Sequence, residues 1–146
     1  MNLAKIVLFI SALAFAGAVL AQDESVAILK NVSGTVKVVR GETTIEGSHG
    51  MGLMKADRIV SEAAASGGIV FKDGTLLTVG PSTEIAIRDY IFEPKESKFA
   101  FSVYMTKGTA IYSSGKIGKL APESVKLDTP RATVGVRGTR FIVAVE

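Results

Sequence analysis

The chain of 146 residues is long enough for one domain with its own core and short for two. A net charge of +3 with no tryptophan and few aromatics gives no electrostatic footprint for nucleic acid, so that partner class is set aside. The absence of cysteine excludes a thiol nucleophile, a cysteine-bound metal, a disulfide framework and a lipidated cysteine.

Met1–Lys5 is short and basic, and Ile6–Leu20 is apolar apart from Ser11. Val19-Leu20-Ala21 then offers small or compact residues at a cleavage position, ahead of Gln22-Asp23-Glu24. The run is shorter than the roughly 20 apolar residues that span a bilayer as a helix. The pattern predicts a signal peptide over residues 1–21 and a mature domain over residues 22–146, periplasmic or secreted. No stable membrane insertion is expected after cleavage, and no lipid anchor.

Beyond Gln22 the pattern turns to short alternating runs separated by Gly, Asp-Gly, Pro and Ser. A period of two marks a strand with one buried face. Val36 and Val38 share a face opposite Lys37, and Ile85 and Ile87 share one opposite Glu84 and Arg88. Asp73-Gly74, between Ile69–Lys72 and Thr75–Val79, has the composition of a tight hairpin turn. Gly80-Pro81-Ser82 separates the next strand. Phe99, Phe101, Val103 and Met105 alternate with Lys98, Ala100, Ser102 and Tyr104, and Lys107-Gly108 reads as a second hairpin leading into Thr109–Tyr112. Ser61–Ser66, with three alanines, is the one stretch suited to a helical turn. Val125 and Leu127 form a further half-buried pair. About ten short strands predict an all-β, antiparallel-rich sandwich or jelly-roll-like domain, with a short β-solenoid as the alternative.

The last segment changes phase. Val134 and Val136 fall on even positions, whereas Phe141, Val143 and Val145 fall on odd ones. One strand cannot keep one face buried through that change, so Arg137-Gly138-Thr139 is predicted to be a corner.

Four segments together resemble the FecR periplasmic domain, named for the ferric citrate sensor. They are Gly34–Gly41, Ile69–Pro81 with Asp73 and Gly74, Tyr104–Gly108, and Asp128–Phe141. The last holds Thr129-Pro130 followed by Val136-Arg137-Gly138-Thr139-Arg140-Phe141, the most specific part. The resemblance runs from about Val32 to the end and implies an all-β domain that contacts protein and has no known chemistry. The motif residues Asp73, Gly74, Thr129, Pro130, Arg137, Gly138, Thr139 and Phe141 would be structural or partner-contacting. Signalling members of that family resemble a three-part sensor with a cytoplasmic anti-sigma segment, a membrane helix and a further C-terminal domain. This sequence has a signal-like start in place of the first two, and Glu146 closes it. The family's Gly-Asp pair is altered to Ala56-Asp57, ahead of Ile59-Val60-Ser61.

Signals of chemistry are weak. His49 is the one histidine and lies in a glycine-rich loop, whereas a metal site needs several converging ligands. Asp73 and Glu84 are accounted for by a turn and an exposed strand face, and Asp89-Tyr90-Ile91-Phe92 reads as a packing cluster. With one loop histidine, no Ser-His-Asp nucleophile is assembled. Arg131, Arg137 and Arg140 are the one basic concentration, and Arg137 is expected to pair with a nearby carboxylate or carbonyl and hold the corner. No catalytic residue, cofactor or metal is expected. The sequence therefore predicts a non-enzymatic, signalling-related scaffold module that binds another envelope or extracellular protein, in one version through the edge of Phe141–Glu146. Carbohydrate or small-ligand binding by loops around His49 and Tyr90 is the alternative. A small membrane barrel is disfavoured by the short strands and scarce aromatics.

Overall fold

The computed structural model describes residues 24–137 and 140–146. The predicted signal peptide and the pair Gly138-Thr139 lie outside the described residues. The first strands are β1 (Ala27–Ser33), β2 (Val36–Arg40), β3 (Thr43–Glu46), β4 (Gly52–Leu53), β5 (Arg58–Ser61) and β6 (Ser66–Phe71). They are followed by β7 (Leu76–Val79), β8 (Glu84–Glu93) and β9 (Lys98–Ser113). After the short helix α1 (Lys116–Leu120) come β10 (Val125–Asp128), β11 (Thr133–Gly135) and β12 (Arg140–Val145).

All of these strands join in one 12-stranded hydrogen-bonded sheet curled over its own core as a half-barrel. The pairing is antiparallel throughout except between β9 and β10. A solenoid stacks parallel coils, so this topology selects the sandwich-like reading over the alternative. The expected alternation places Val36, Val38, Ile85, Ile87, Phe101, Val103, Met105, Val125 and Leu127 in the core. Phe71 joins the two halves of that core, with ring centroids 5.2 Å from Tyr90 and 4.8 Å from Phe101.

The hinge of the architecture is β9, a strand of 16 residues. Its first half pairs with β8 on one side and β10 on the other. Its second half pairs with β7 and β12. The expected hairpin at Lys107-Gly108 is therefore a bend within one strand. Gly108 has φ +99, and a Cβ there would overlap Oγ1 and Cα of Thr83. The same positive φ that a hairpin turn requires is used to pass the strand from one half of the sheet to the other.

Asp73-Gly74 does form the predicted hairpin between β6 and β7, with Gly74 at φ +86 and its amide donating to the Phe71 carbonyl at 3.0 Å. Ser61–Ser66 is not helical. Ala65 N–H closes a turn onto the Glu62 carbonyl at 3.1 Å, and β6 begins at Ser66. The helical turn occurs instead in α1. Among the described residues no helix is long and apolar enough to cross a membrane.

Candidate interaction surface

The motif residues of the β6–β7 turn serve the interior. Asp73 is buried, and its carboxylate accepts from Thr75 Oγ1 at 2.6 Å, Tyr90 Oη at 2.9 Å and the Ile117 amide at 3.0 Å. Its backbone amide donates to the same Tyr90 hydroxyl at 2.8 Å. One side chain thus fastens a hairpin, a strand and the start of α1. Burial, followed by the Asp73 charge, pushes the Tyr90 phenol well above its ordinary ionisation range. Gly115 packs against this hub, where a Cβ would approach Asp73 O and Oδ2 at 2.7 Å.

The remaining motif residues lie elsewhere. Thr129 and Pro130 sit in the exposed β10–β11 turn, where Thr129 Oγ1 accepts from the Ala132 amide at 3.0 Å. Phe141 is half-buried on β12 and stacks on Tyr112 at 4.9 Å. Arg137 is exposed and makes no ion pair among the described residues. It lines an open groove of about 540 Å³ with Glu123, Lys126 and Val136. Arg40 is held in place by a buried carboxylate, gripping Asp57 through Nε at 2.9 Å and Nη2 at 2.7 Å, and its Nη2 also donates to the Gly52 carbonyl. Gly138 and Thr139 belong to the undescribed pair.

Three observations weigh on chemistry. His49 is exposed, and its Nδ1 accepts from the Asn31 amide at 3.2 Å. Tyr90, which lines a surface groove of about 420 Å³ with Lys55, Lys72 and Phe92, has its hydroxyl engaged by Asp73. Among the described residues no three His, Asp or Glu side chains converge as metal ligands.

The two halves of the sheet present different outer faces. On the half built from β2, β5, β8 and β10 the outward residues are largely charged and paired with one another. Arg58 meets Glu84 at 3.1 Å, Lys37 meets Glu62 at 2.7 Å, and Arg88 lies 4.0 Å over the Tyr104 ring. On the other half the register sets Val70 between Ile28 and Leu76, and Ile111 between Thr78 and Ile142. This second face mixes these apolar side chains with Lys30, Ser113 and Arg140 on the same rows, and it ends at β12.

Among the described residues strand β12 pairs with β9 alone, so its other side is an open edge. Phe141-Ile142-Val143-Ala144-Val145 carries no charge, proline or glycine, the devices that usually blunt an edge. Ile142 is 68% exposed, the most exposed large apolar side chain among the described residues. The odd-position phase of Phe141, Val143 and Val145 already directed Ile142 outward. Its neighbour Ile111 depended on pairing between distant strands and was not singled out.

A family-model comparison matches the FecR protein family over residues 57–146, more than half of the chain. No curated protein and no solved structure matches the sequence. The matched region begins at the buried Asp57 and takes in the Asp73 hub, the β9 bend and the open edge. This chain belongs to the FecR protein family, a family of signalling-related envelope proteins.

Proposed function

We infer that this chain is an exported protein-interaction module of the cell envelope and that β12 is its contact edge. The observation that carries the reading is an open edge strand, uncharged from Phe141 to Val145, with Ile142 68% exposed beside Ile111. An edge of this kind accepts a partner strand by completing the backbone ladder, and alternate side chains supply selectivity. The buried Asp73 and Tyr90 are fully occupied in holding the fold, which leaves a scaffold role as the better fit to the polar groups. Carbohydrate binding near Tyr90 lacks a free phenol, because that hydroxyl already donates to and accepts from Asp73.

The test is site-specific photocrosslinking in the native envelope, with the photoreactive residue at Ile142 or at Val60 on the charged outer face. Protein adducts at Ile142 and none at Val60 are the expected result. Adducts of equal yield at both positions, or none at Ile142, would remove β12 as the contact.

A further inference from the structure

Resting on that reading of the edge, we propose that β12 pairs with β12 of a second copy of this chain, antiparallel and centred on Val143. A symmetric pairing must match faces, because side chains alternate with a period of two. The two-fold axis then passes through a residue, so that inward side chains meet inward ones and outward meet outward.

Three such registers extend over most of the strand. Centred on Ile142, the pairing sets Arg140 against Ala144 and leaves Glu146 beyond the ladder. Centred on Ala144, it sets Ile142 against Glu146, an apolar group against an acid. Centred on Val143, it sets Phe141 against Val145, Ile142 against Ala144, and Arg140 against Glu146 at both ends. Only the last matches apolar with apolar and base with acid, and the two-fold repeats each match. Opposite charges across a strand pair attract and like charges repel, so the ends fix the register.

Burial points the same way. Along the inward row Leu29, Ile69, Leu77, Tyr112 and Phe141, the first four are buried and Phe141 is half-exposed at the open side. Val145 is likewise partly covered. A partner strand in the Val143 register places its Val145 beside Phe141 and extends the inner apolar row. The other edges among the described residues are less suited. β4 has two residues, β11 has three, and β3 has four and ends in Glu46.

The experiment is sedimentation equilibrium of the full mature protein recovered from the envelope, across a concentration series. A monomer–dimer equilibrium with Kd of roughly micromolar order is expected for a contact of one strand pair. Arg140→Glu and Glu146→Arg are each expected to weaken it about tenfold, since each turns two attractive pairs into repulsive ones. The double exchange restores it. The sequence has no cysteine, so mixing Ile142→Cys protein with Ala144→Cys protein and oxidising gives an unambiguous readout. A mixed disulfide dimer forming faster than either self-pair supports the Val143 register, and equal rates overturn it. A wild type that stays monomeric while Ile142 still crosslinks to another protein overturns the self-pairing but leaves the edge in use. A monomer with no adduct at Ile142 overturns both.

Discussion

The Tyr90 hydroxyl donates to Asp73 Oδ1 at 2.9 Å and accepts from the Asp73 backbone amide at 2.8 Å, so one phenol satisfies two groups of the same buried residue. Tyr112 stands in contrast. Its hydroxyl is buried without a hydrogen-bond partner of acceptable geometry, although its ring stacks on Phe141. Removing a partner from a buried polar group costs the desolvation of what remains, whereas removing an unpartnered hydroxyl costs little. Tyr90→Phe should therefore lower stability by about 1–3 kcal/mol, and Tyr112→Phe should leave it unchanged or raise it by up to about 1 kcal/mol. Urea denaturation of both variants checks the contrast, and equal losses would count against it.

The same two phenols make stability fall at alkaline pH. Burial is the first cause that raises the ionisation of each above the ordinary value of 10.0. Below about pH 10 the folded and unfolded chains both keep these protons, and the contribution is fully present. Above that, the unfolded chain releases protons that the folded chain retains, so stability falls as pH rises. The slope should approach about 1.4 kcal/mol per pH unit for Tyr90, with Tyr112 acting in the same direction. Melting curves between pH 9 and 12 should show a shallower decline for Tyr90→Phe than for the wild type. Identical slopes would mean that Tyr90 ionises as freely in the folded chain as in the unfolded one.

Gly108 and Thr83 occupy one another's space at the β9 bend. The Thr83 hydroxyl donates to the Thr109 carbonyl at 3.2 Å and accepts from the Thr109 amide at 2.9 Å, which draws the strand against Thr83. Gly108→Ala combines a left-handed backbone with a clash against backbone and should cost roughly 3 kcal/mol or more. Thr83→Val keeps the volume and removes the hydroxyl, and should cost about 1–3 kcal/mol. Thermal melts of the two variants, with Gly108→Ala the worse, test the bend.

Much of this fold was legible because one face of most strands is buried. Val36, Val38, Ile85, Ile87 and Leu127 announce their faces through alternation that depends on no distant residue. The role of Gly108 was not legible, because a hairpin and a bend ask the same local conformation of glycine. What decides between them is Thr83, which belongs to another part of the chain. At the contact surface, the exposure of Ile142 followed from the phase of its own strand. That β12 lies at an open edge, with Ile111 beside it, followed only from the order of strands. The ion pair that holds a buried carboxylate was not legible either, because Arg40 and Asp57 stand seventeen positions apart and only strand pairing brings them together.

Ala56 precedes that pair with φ +70, a left-handed conformation where the family resemblance led us to expect glycine. A side chain pays about 1–2 kcal/mol for that conformation, partly offset by the extra freedom glycine has in the unfolded chain. Ala56→Gly should raise stability by up to about 1 kcal/mol, read as a higher urea midpoint with an unchanged slope. A lower midpoint would show that the alanine methyl contributes more than the strain removes.

Arg40 and Asp57 give the sharpest test of what holds the β2–β5 region. Asp57 is 1% exposed, and its carboxylate accepts from Arg40 twice and from the Met54 amide at 2.8 Å. Arg40 Nη2 also donates to the Gly52 carbonyl at 3.1 Å, tying β4 to the same guanidinium. The Asp57 hydrogen bond is the leading cause that raises the Arg40 ionisation further above its usual range. Arg40→Ala strands a buried carboxylate with one remaining donor, so it should cost about 3 kcal/mol. Arg40→Lys should recover little of this, because an ammonium has no planar fork to span both carboxylate oxygens and reach Gly52 as well. In the double variant Arg40→Ala/Asp57→Ala no charge is left buried, so its loss should be clearly smaller than the sum of the two single losses. Strict additivity in a urea-denaturation cycle would mean that the two side chains act independently, and the bidentate contact would then contribute nothing to the stability of this end of the sheet.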